Sequence, residues 1–419
     1  MPTVLPTVRP PMNTGTLPQN LSNLPGGNLA QAVATHPTEG WAAVAWVNQP
    51  PESTTDANRV FVKVQHPGSQ RWEPAIQVNT LGAYDAASNP GIAIDQAGRI
   101  YVTFAQGHLH PALSWSDDGG KTWTPPELLP VADVGIYSQV MIDDQAQIVH
   151  LLVNSDYHIH HLERPRAAPV GSAWQDDTVV PGNNHARATM ALVGGVVTIA
   201  TACRSGCAGD AVVISRRQGV GQWSSGRVPG ASVRRMWQPY WTSIVATPRG
   251  GCLAWGYWGA SGNYASCSFD GGGSWEPAKP LIDTYPGDEY QQSDTGSTPT
   301  LLYDPATQTV IAYEIYRQVG MVETTYLVYS YRRLVQDHWV PDMAGPYIHH
   351  QPALRAFAAT ARSRAAEPHG IGVAYARSTT NQAGLALVAW SEIDQAAGDI
   401  QIMVAWSNPS ALVTQNKLP

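Results

Sequence analysis

The feature that most constrains the fold is a repeat of about fifty residues that runs through most of the 419-residue chain. Segments 88–129 and 240–282 show its fullest form, with three short strands, a Gly-rich turn, a tryptophan and a fourth strand. Apolar and polar residues alternate in RIYVTFAQG and GCLAWGYWG, which is typical of half-buried strands. The repeat therefore predicts one all-β array.

A tryptophan that is predicted to open the fourth strand marks the phase of the repeat. It recurs at Trp72, Trp123, Trp174, Trp223, Trp275 and, after a longer gap, Trp339. The two ends of the chain also match, since residues 28–65 parallel residues 370–408, and the last unit stops after its third strand. Its fourth strand must come from the tail ALVTQ or from the N-terminal segment, and either exchange would close a ring and hide sheet edges.

These units predict a single β-propeller of four-stranded antiparallel blades. Seven blades is the predicted number, with six as the alternative because residues 349–368 blur the border between the last two units. Residues 28–419 form the propeller in this interpretation, and a short helix is permitted at 353–366. Residues 1–27 are predicted to be a Pro/Thr-rich extension, which as written has neither the basic nor the apolar region of a secretory signal.

Composition excludes some classes of function. The net charge is −7 and no long basic run occurs, which argues against a nucleic-acid groove. No stretch approaches 18 apolar residues, so no membrane span is expected. Local disulfides Cys203–Cys207 and Cys252–Cys267 are predicted, with four buried thiols as the alternative, and an extracytoplasmic or secreted location is expected.

Two segments carry a family resemblance. SDDGGKTW at 116–123 resembles the Asp box of sialidase-like, or BNR-repeat, propellers, and SFDGGGSW at 268–275 matches it at every motif position. Such a turn needs glycine for positive φ, an aspartate to accept backbone N–H groups and an aromatic ring to fill the gap between strands. The resemblance implies that Asp118 and Asp270 are structural and lie away from the binding face. The alternative, a catalytic pair of Asp117 and Asp118, is disfavoured because neighbours on a strand point to opposite faces.

The opposite side of the propeller is therefore the expected site. We call it the loop face, and it consists of the loops between second and third strands and the loops that lead into each first strand. Histidines, which move protons or bind metals near neutral pH, concentrate in units two to four, and neighbouring blades would bring several into one pocket. Alternatively, alternate members of HIHHL face solvent. The histidines are His108, His110, His158, His160, His161 and His185.

We assign the candidate site residues on this basis. The candidate catalytic residues are His158, His108, Tyr137, Arg187 and Asp85. The candidate substrate-binding residues are His185, Arg204, Tyr240, Trp241, Trp258 and Tyr264. No metal ligand and no cofactor is assigned, because no spacing demands calcium or zinc. The predicted partner is an oligosaccharide or polysaccharide, and the oligomeric state is left open.

Three functions are compatible with these residues. The first is a sialidase-type hydrolase, for which the family implies three arginines that bind a carboxylate, a Tyr–Glu nucleophile pair and an Asp as acid/base catalyst. The family's Phe/Tyr-Arg-Ile-Pro motif is missing, although Asp85 and Glu314, with Tyr313 or Tyr316, would suit two of those roles. Another is a non-catalytic sugar- or protein-binding propeller, in which exposed Trp and Tyr rings stack on a ligand.

The remaining function compatible with these residues is that of a propeller-type polysaccharide lyase. GHLHPALSWS and YHIHHL, one unit apart, are similar to stretches of ulvan lyases, which use His and Tyr for proton transfer and Arg to neutralise a uronate. Such an elimination needs a base for the acidic C5 proton and relief of the carboxylate charge. We assign His158 or His108 as base, Tyr137 or Tyr240 as acid, and Arg187 or Arg204 as neutraliser. The sequence predicts a carbohydrate-active propeller that acts on an acidic glycan, with binding alone as the alternative.

Overall fold

The computed structural model describes part of the chain. The described residues are 19–51, 58–67, 69, 71–80, 90–107, 110–131, 135–155, 158–181, 188–203, 211–231, 239–257, 263–280, 300–305, 308–318, 324–335, 338–341, 347–349, 372–376, 385–394 and 399–407. Their regular elements are all β-strands, which confirms the all-β class. Within these ranges no long apolar helix of the kind that crosses a bilayer occurs. The helix predicted at 353–366 lies outside them.

The strands follow one another in sets, which we number in chain order. Set 1 contains β2 (Gly27–Thr35), β3 (Ala42–Gln49), β4 (Arg59–Gln65) and β5 (Ile76–Gln77). Set 2 contains β6 (Gly91–Ile94), β7 (Ile100–Gln106), β8 (His110–Ser116) and β9 (Glu127–Leu128). Set 3 contains β10 (Gly135–Asp143), β11 (Ile148–Ser155), β12 (His158–Pro165) and β13 (Gln175–Pro181). Set 4 contains β14 (Thr189–Val193), β15 (Val196–Cys203), β16 (Ala211–Gly219) and β17 (Gln222–Arg227).

The later sets continue the same order. Set 5 contains β18 (Pro239–Thr247), β19 (Gly250–Tyr257), β20 (Asn263–Ser268) and β21 (Lys279–Pro280). Set 6 contains β22 (Thr300–Asp304), β23 (Thr309–Gln318), β24 (Thr324–Val335) and β25 (His338–Pro341), with β26 (Tyr347–His349) also paired to β24. Set 7 contains β27 (Gly372–Ala376), β28 (Leu385–Asp394), β29 (Asp399–Ser407) and β1 (Gln19–Asn20).

Within each set the strands pair antiparallel, and β1 completes set 7 beside β29. One parallel pair, Gly27 of β2 with Ile400 of β29, joins sets 1 and 7 into a single eight-stranded sheet. The first strands contact one another in a cycle, β2 to β6, β10, β14, β18, β22 and β27, and β27 contacts β2 again. Inner strands that form a closed cycle with their sheets radiating outward define a β-propeller, as predicted. Since residues 350–371, between sets 6 and 7, lie outside the described ranges, the blade number of seven stays a prediction.

The ends of the chain are joined within set 7. β1 pairs antiparallel with β29, so the N-terminal segment supplies the strand that the last unit lacks. Ser22 Oγ donates to Gln401 Oε1 at 2.7 Å and accepts from the Ile402 amide at 2.9 Å. Leu21 beside it is only 1% exposed. These contacts begin inside the segment 1–27 that was predicted to be an extension.

The repeated tryptophans pack against the core between neighbouring sheets. Trp123 contacts a cluster built from sets 1 and 2, and Trp174 contacts one built from sets 2 and 3. Trp72, Trp223 and Trp275 occupy the equivalent places in other sets. At these five interfaces, the fifty-residue period therefore reflects one tryptophan ring between neighbouring sheets. In sets 1, 2 and 5 the tryptophan precedes a two-residue fourth strand rather than opening it.

The turns at 116–123 and 268–275 share one hydrogen-bond pattern. Asp118 Oδ1 accepts from Ser116 Oγ at 2.8 Å and from the Thr122 amide at 2.9 Å, while Oδ2 accepts from Thr122 Oγ1 at 2.6 Å. Asp270 makes the same three kinds of bond to Ser268 and Ser274. These hydrogen bonds hold the pKa of both carboxyls well below its ordinary value. The largest contribution comes from the hydroxyls of Thr122 and Ser274, followed by the backbone amides of the same residues. Both carboxylates thus hold their own turns together.

One predicted disulfide is present in set 5. Cys252 and Cys267 are register partners on β19 and β20, with Cα atoms 4.2 Å apart, and their sulfurs are bonded. Both residues are fully buried. The Cys203–Cys207 disulfide stays a prediction, because Cys207 lies outside the described residues.

Candidate functional site

The structure describes the candidate residues unequally. The side chains of His158 and Tyr264 are described, whereas Tyr137, Tyr240 and Trp241 contribute only the backbone of β10 and β18. The other candidates lie outside the described residues and stay predictions: Asp85, His108, His185, Arg187, Arg204 and Trp258. The backbone nevertheless locates the ends of several loops that carry them.

His158 is the first residue of β12, at the end of set 3 that belongs to the loop face. Its amide donates to Ser155 Oγ at 2.8 Å, and the same hydroxyl donates to the His158 carbonyl at 2.9 Å. These two bonds close the short connection from β11 and fix the backbone of His158. The side chain is half-buried and its ring lies edge-on to the His160 ring at 5.8 Å.

Asn154 joins the elements around His158. On β11 it is the register partner of Tyr137 in β10 and of Ile159 in β12. Its side-chain Oδ1 accepts from the Ala188 amide at 3.0 Å, and its Nδ2 donates to the Ala188 carbonyl at 3.4 Å. Both residues are 4% exposed. The amide thus fixes the backbone directly after the loop 182–187.

The other end of that loop is also fixed at this place. Pro181, the last residue of β13, is the register partner of His158. The loop that carries His185 and Arg187 therefore starts beside His158 and ends against Asn154. Backbone pairing and one buried amide bring Tyr137, His158 and both ends of this loop to the same edge of set 3.

A second amide anchors the loop that carries Asp85. Gln106 at the end of β7 accepts from the Thr80 amide at 3.2 Å through Oε1 and donates to Thr80 Oγ1 at 3.1 Å through Nε2. Thr80 directly precedes the loop 81–89. Sequence reasoning missed Asn154 and Gln106, since an amide within an apolar strand carries no signal of its partner. Their one sequence signal is a polar residue at the end of a buried strand.

The histidines of the HIHHL segment lie on opposite faces of the sheet of set 3. His160 and His161 alternate along β12, so they face the two different neighbouring sheets. His160 Nδ1 lies 3.1 Å from Asp176 Oδ2, whereas His161 Nε2 lies 3.0 Å from His150 Nδ1. His160 is 8% exposed and His161 fully buried, so the expectation that alternate members face solvent is wrong for both. His161 does not join His158 in one pocket.

His161 instead belongs to a polar cluster between sets 3 and 4, which we call the inter-sheet cluster. Arg217 Nη2 of β16 donates to Glu163 Oε1 at 2.7 Å and to Asp177 Oδ2 at 2.9 Å, and Arg217 Nη1 donates to Glu163 Oε2. His150 and Asp177 are 2% and 3% exposed. Ligand atoms of His150, His161 and Glu163 all lie within 4.8 Å of one another. Sequence reasoning missed His150 and Arg217, which are distant in sequence from HIHHL.

Burial controls the protonation of this cluster. Desolvation, followed by the nearby His150 and Arg217 charges, lowers the pKa of His161 to about 3. Desolvation also lowers the pKa of His150, although the Glu163 carboxylate opposes that shift. Both imidazoles are therefore neutral near pH 7, and each has one nitrogen able to accept a hydrogen bond or bind a metal.

Tyr264 is packed rather than freely displayed. Its ring stacks on the fully buried Trp255 at 6.1 Å, with 18° between the ring planes. The residue is half-buried at the edge of the cluster between sets 4 and 5. One face of the ring is therefore used within the protein, and the predicted role in substrate binding is left to the other face.

Comparisons with known proteins place the fold. No protein-family model and no curated protein matches the chain. Among solved structures, an ulvan lyase described as a new family of polysaccharide lyase aligns with a TM-score of 0.56 at 12% identity, over 93% of this chain and 96% of that one. A Hadza microbial sialidase aligns at 0.45 and 15% identity over 69% of this chain, which spans 63% of the sialidase. A fucose-specific lectin from Aleuria aurantia aligns at 0.45 and 11% identity over 72% and 93%.

These identities are too low to define an activity or a family. The similarity to the ulvan lyase extends over nearly the whole of both chains, and it shows the β-propeller fold alone. Function has to be argued from the residues of the loop face. The chain has the β-propeller fold, as the strand cycle indicates.

Proposed function

We propose that this chain is a carbohydrate-active propeller that cleaves an acidic, uronate-containing polysaccharide by β-elimination at its loop face. The observation that carries the proposal is the convergence around Asn154. His158, the backbone of Tyr137 and both ends of the loop with His185 and Arg187 meet at one edge of set 3. A base, an acid and a cation for the uronate are the three groups that this elimination requires.

The proposed roles follow from the chemistry of each group. His158 removes the C5 proton, and Arg187 balances the charge that develops on the uronate carboxylate. Tyr137 donates a proton to the glycosidic oxygen as the C4–O bond breaks. The products are a new reducing end and an unsaturated uronate. His108, Tyr240 and Arg204 are the alternatives for the three roles, and His185, Trp241, Trp258 and Tyr264 are proposed to hold the sugar.

The rigid backbone at His158 supports this assignment. A general base has to be held within hydrogen-bond reach of the proton that it removes. The reciprocal bonds with Ser155 fix the His158 backbone, and the Asn154 amide fixes the strand that follows Arg187. The ulvan lyase with the same overall fold is itself a polysaccharide lyase, which supports elimination over hydrolysis. The missing arginine motif also disfavours sialidase chemistry.

We further propose that the protein works outside the cytoplasm. The Cys252–Cys267 disulfide supports this, because disulfides persist mainly in oxidising compartments. The disulfide loop itself lies in set 5 and takes no part in the proposed chemistry.

The experiment is a paired assay on a panel of uronate-containing and neutral polysaccharides. Ultraviolet absorbance of the conjugated product and the number of reducing ends are followed together. We expect both signals to rise in step on a uronate-containing substrate. Reducing ends without absorbance would mean hydrolysis, and binding without either signal would mean a lectin-like module; both results contradict the proposal.

Substitutions then test the assignment. His158→Ala should lower turnover by about a hundredfold or more, the usual contribution of a general base. Lys121→Ala, on an exposed turn at the other side of set 2, is the control and should retain full turnover. If His158→Ala folds and keeps its rate, His158 is not the base, and His108→Ala becomes the test of the alternative.

A further inference from the structure

The inter-sheet cluster places two carboxylates beside a single guanidinium in a largely buried position. The carboxylates of Glu163 and Asp177 both contact the single guanidinium of Arg217. Buried charges are normally paired or bound to a metal ion. Among the described residues of this cluster, two carboxylates thus share one guanidinium.

The ligand atoms lie close to the spacing that a metal ion requires. His150 Nδ1 and His161 Nε2 are 3.0 Å apart, and His150 Nδ1 lies 3.7 Å from Glu163 Oε2. If an ion lay at ~2.05 Å from both nitrogens, the nitrogen–metal–nitrogen angle would be about 94°. A tetrahedral angle needs a nitrogen separation of about 3.3 Å, so ring movements of a few tenths of an ångström suffice.

We propose that His150, His161 and Glu163 bind one divalent transition-metal ion, for which zinc is the reference, between sets 3 and 4. Two imidazoles and one carboxylate are a ligand set that zinc uses in proteins. The ion would add positive charge beside the two carboxylates that share Arg217. This site lies apart from the proposed catalytic residues, and it does not depend on the proposed function.

The residues around these ligands have the character of a second coordination shell. The other nitrogen of His161, Nδ1, faces Asp177 Oδ2 at 3.9 Å and has no hydrogen-bond partner. A histidine that binds metal through one nitrogen commonly directs its other N–H to a carboxylate. Asp177 is itself held by Arg217 and by the Gly221 amide, at 3.0 Å. The Glu163 carboxylate has about four lone-pair sites, so it can accept both Arg217 bonds and still bind an ion.

The competing arrangement has no metal. In it, His150 Nδ1–H donates to His161 Nε2, and the Arg217 contacts alone hold the carboxylates in place. The two arrangements differ in metal content and in the ligands of the ion, so both can be measured directly. Since the cluster is buried, the ion has to be supplied while the chain folds.

The test uses the full chain without an affinity tag of histidines, produced with added zinc and desalted into metal-free buffer. Elemental analysis should give close to one zinc per chain, and X-ray absorption should show two imidazole ligands on it. His150→Gln should remove the zinc, whereas His160→Gln, on the opposite side of the same sheet, should retain it. Asp177→Asn should weaken zinc affinity about 10- to 100-fold, as loss of a second-shell partner does.

Several results would overturn the proposal. They are a wild-type chain without stoichiometric zinc, zinc retained by a folded His150→Gln variant, or an absorption spectrum with fewer than two imidazoles. The last measurement needs no variant, so the proposal can be refuted even if His150→Gln does not fold. Metal content is independent of glycan cleavage, so failure of one proposal leaves the other intact.

Discussion

Asn154→Ala separates the structural and the functional roles of the loop face. The substitution removes both bonds to Ala188, and it leaves the Ala188 amide buried without the acceptor that lies at 3.0 Å. An orphaned buried donor costs about 1–3 kcal/mol, so we expect the free energy of unfolding to fall by about 2 kcal/mol. With an unfolding entropy of ~2.1 cal/mol/K per residue, this chain of 419 residues should lose about 2 °C in Tm.

The functional effect should be larger than the stability effect. Because Asn154 fixes the backbone after Arg187, its loss misplaces the cation relative to His158, and a small misplacement costs up to about a hundredfold in rate. Gln139→Ala is the matched control. Its amide makes the same two kinds of bond to Met190, at 2.9 and 3.2 Å, but farther along β14 from the loop.

Calorimetry, amide hydrogen exchange and turnover assays together separate the stability effect of Asn154→Ala from its functional effect. Asn154→Ala should accelerate exchange at Ala188 and lower both Tm and turnover, whereas Gln139→Ala should accelerate exchange at Met190 and lower Tm alone. The reasoning is refuted if Asn154→Ala leaves the exchange of Ala188 unchanged. It is equally refuted if both variants lose turnover to the same extent.

Three further predictions concern the propeller itself. Gly120 has φ of +91°, and a Cβ there would lie 2.6 Å from Val64 Cγ2. Gly120→Ala should therefore lower the free energy of unfolding, measured in urea, by about 1–3 kcal/mol more than Gly221→Ala, whose Cβ meets nothing within 4 Å. Equal losses in the two variants would contradict this. The lowered pKa of Asp118 and Asp270 stabilises the fold above the unfolded aspartate pKa near 3.8, and this stabilisation is lost as pH falls through the folded values. The stability advantage of wild type over Asp118→Asn/Asp270→Asn should therefore shrink in acid, and a constant gap across a pH series would refute it. Leu21→Ala should cost about 3 kcal/mol because this side chain is buried where β1 closes set 7, while exposed Gln19→Ala should cost little; equal Tm values for the two variants would exclude the closure.

The sequence alone determined the repeating architecture. One tryptophan per unit, alternating strands and the Gly-rich turns at 116–123 and 268–275 are local patterns, because each strand and turn is set by residues near to it in the chain. The missing strand of the last unit was likewise predictable, since a sheet edge has to be covered. The choice of β1 over the tail ALVTQ was left open, because both segments are short and neither has a distinctive pattern.

Only the tertiary structure decided which side chains meet. HIHHL suggested one histidine pocket, but the alternation of β12 directs His160 and His161 to different neighbouring sheets. His150 and Arg217 join His161 from other strands, and Asn154 reaches Ala188 in the next set. Such contacts depend on how sheets stack around the ring. No local pattern encodes them, because the partner of each group is tens of residues away along the chain and becomes its neighbour only when the sheets pack.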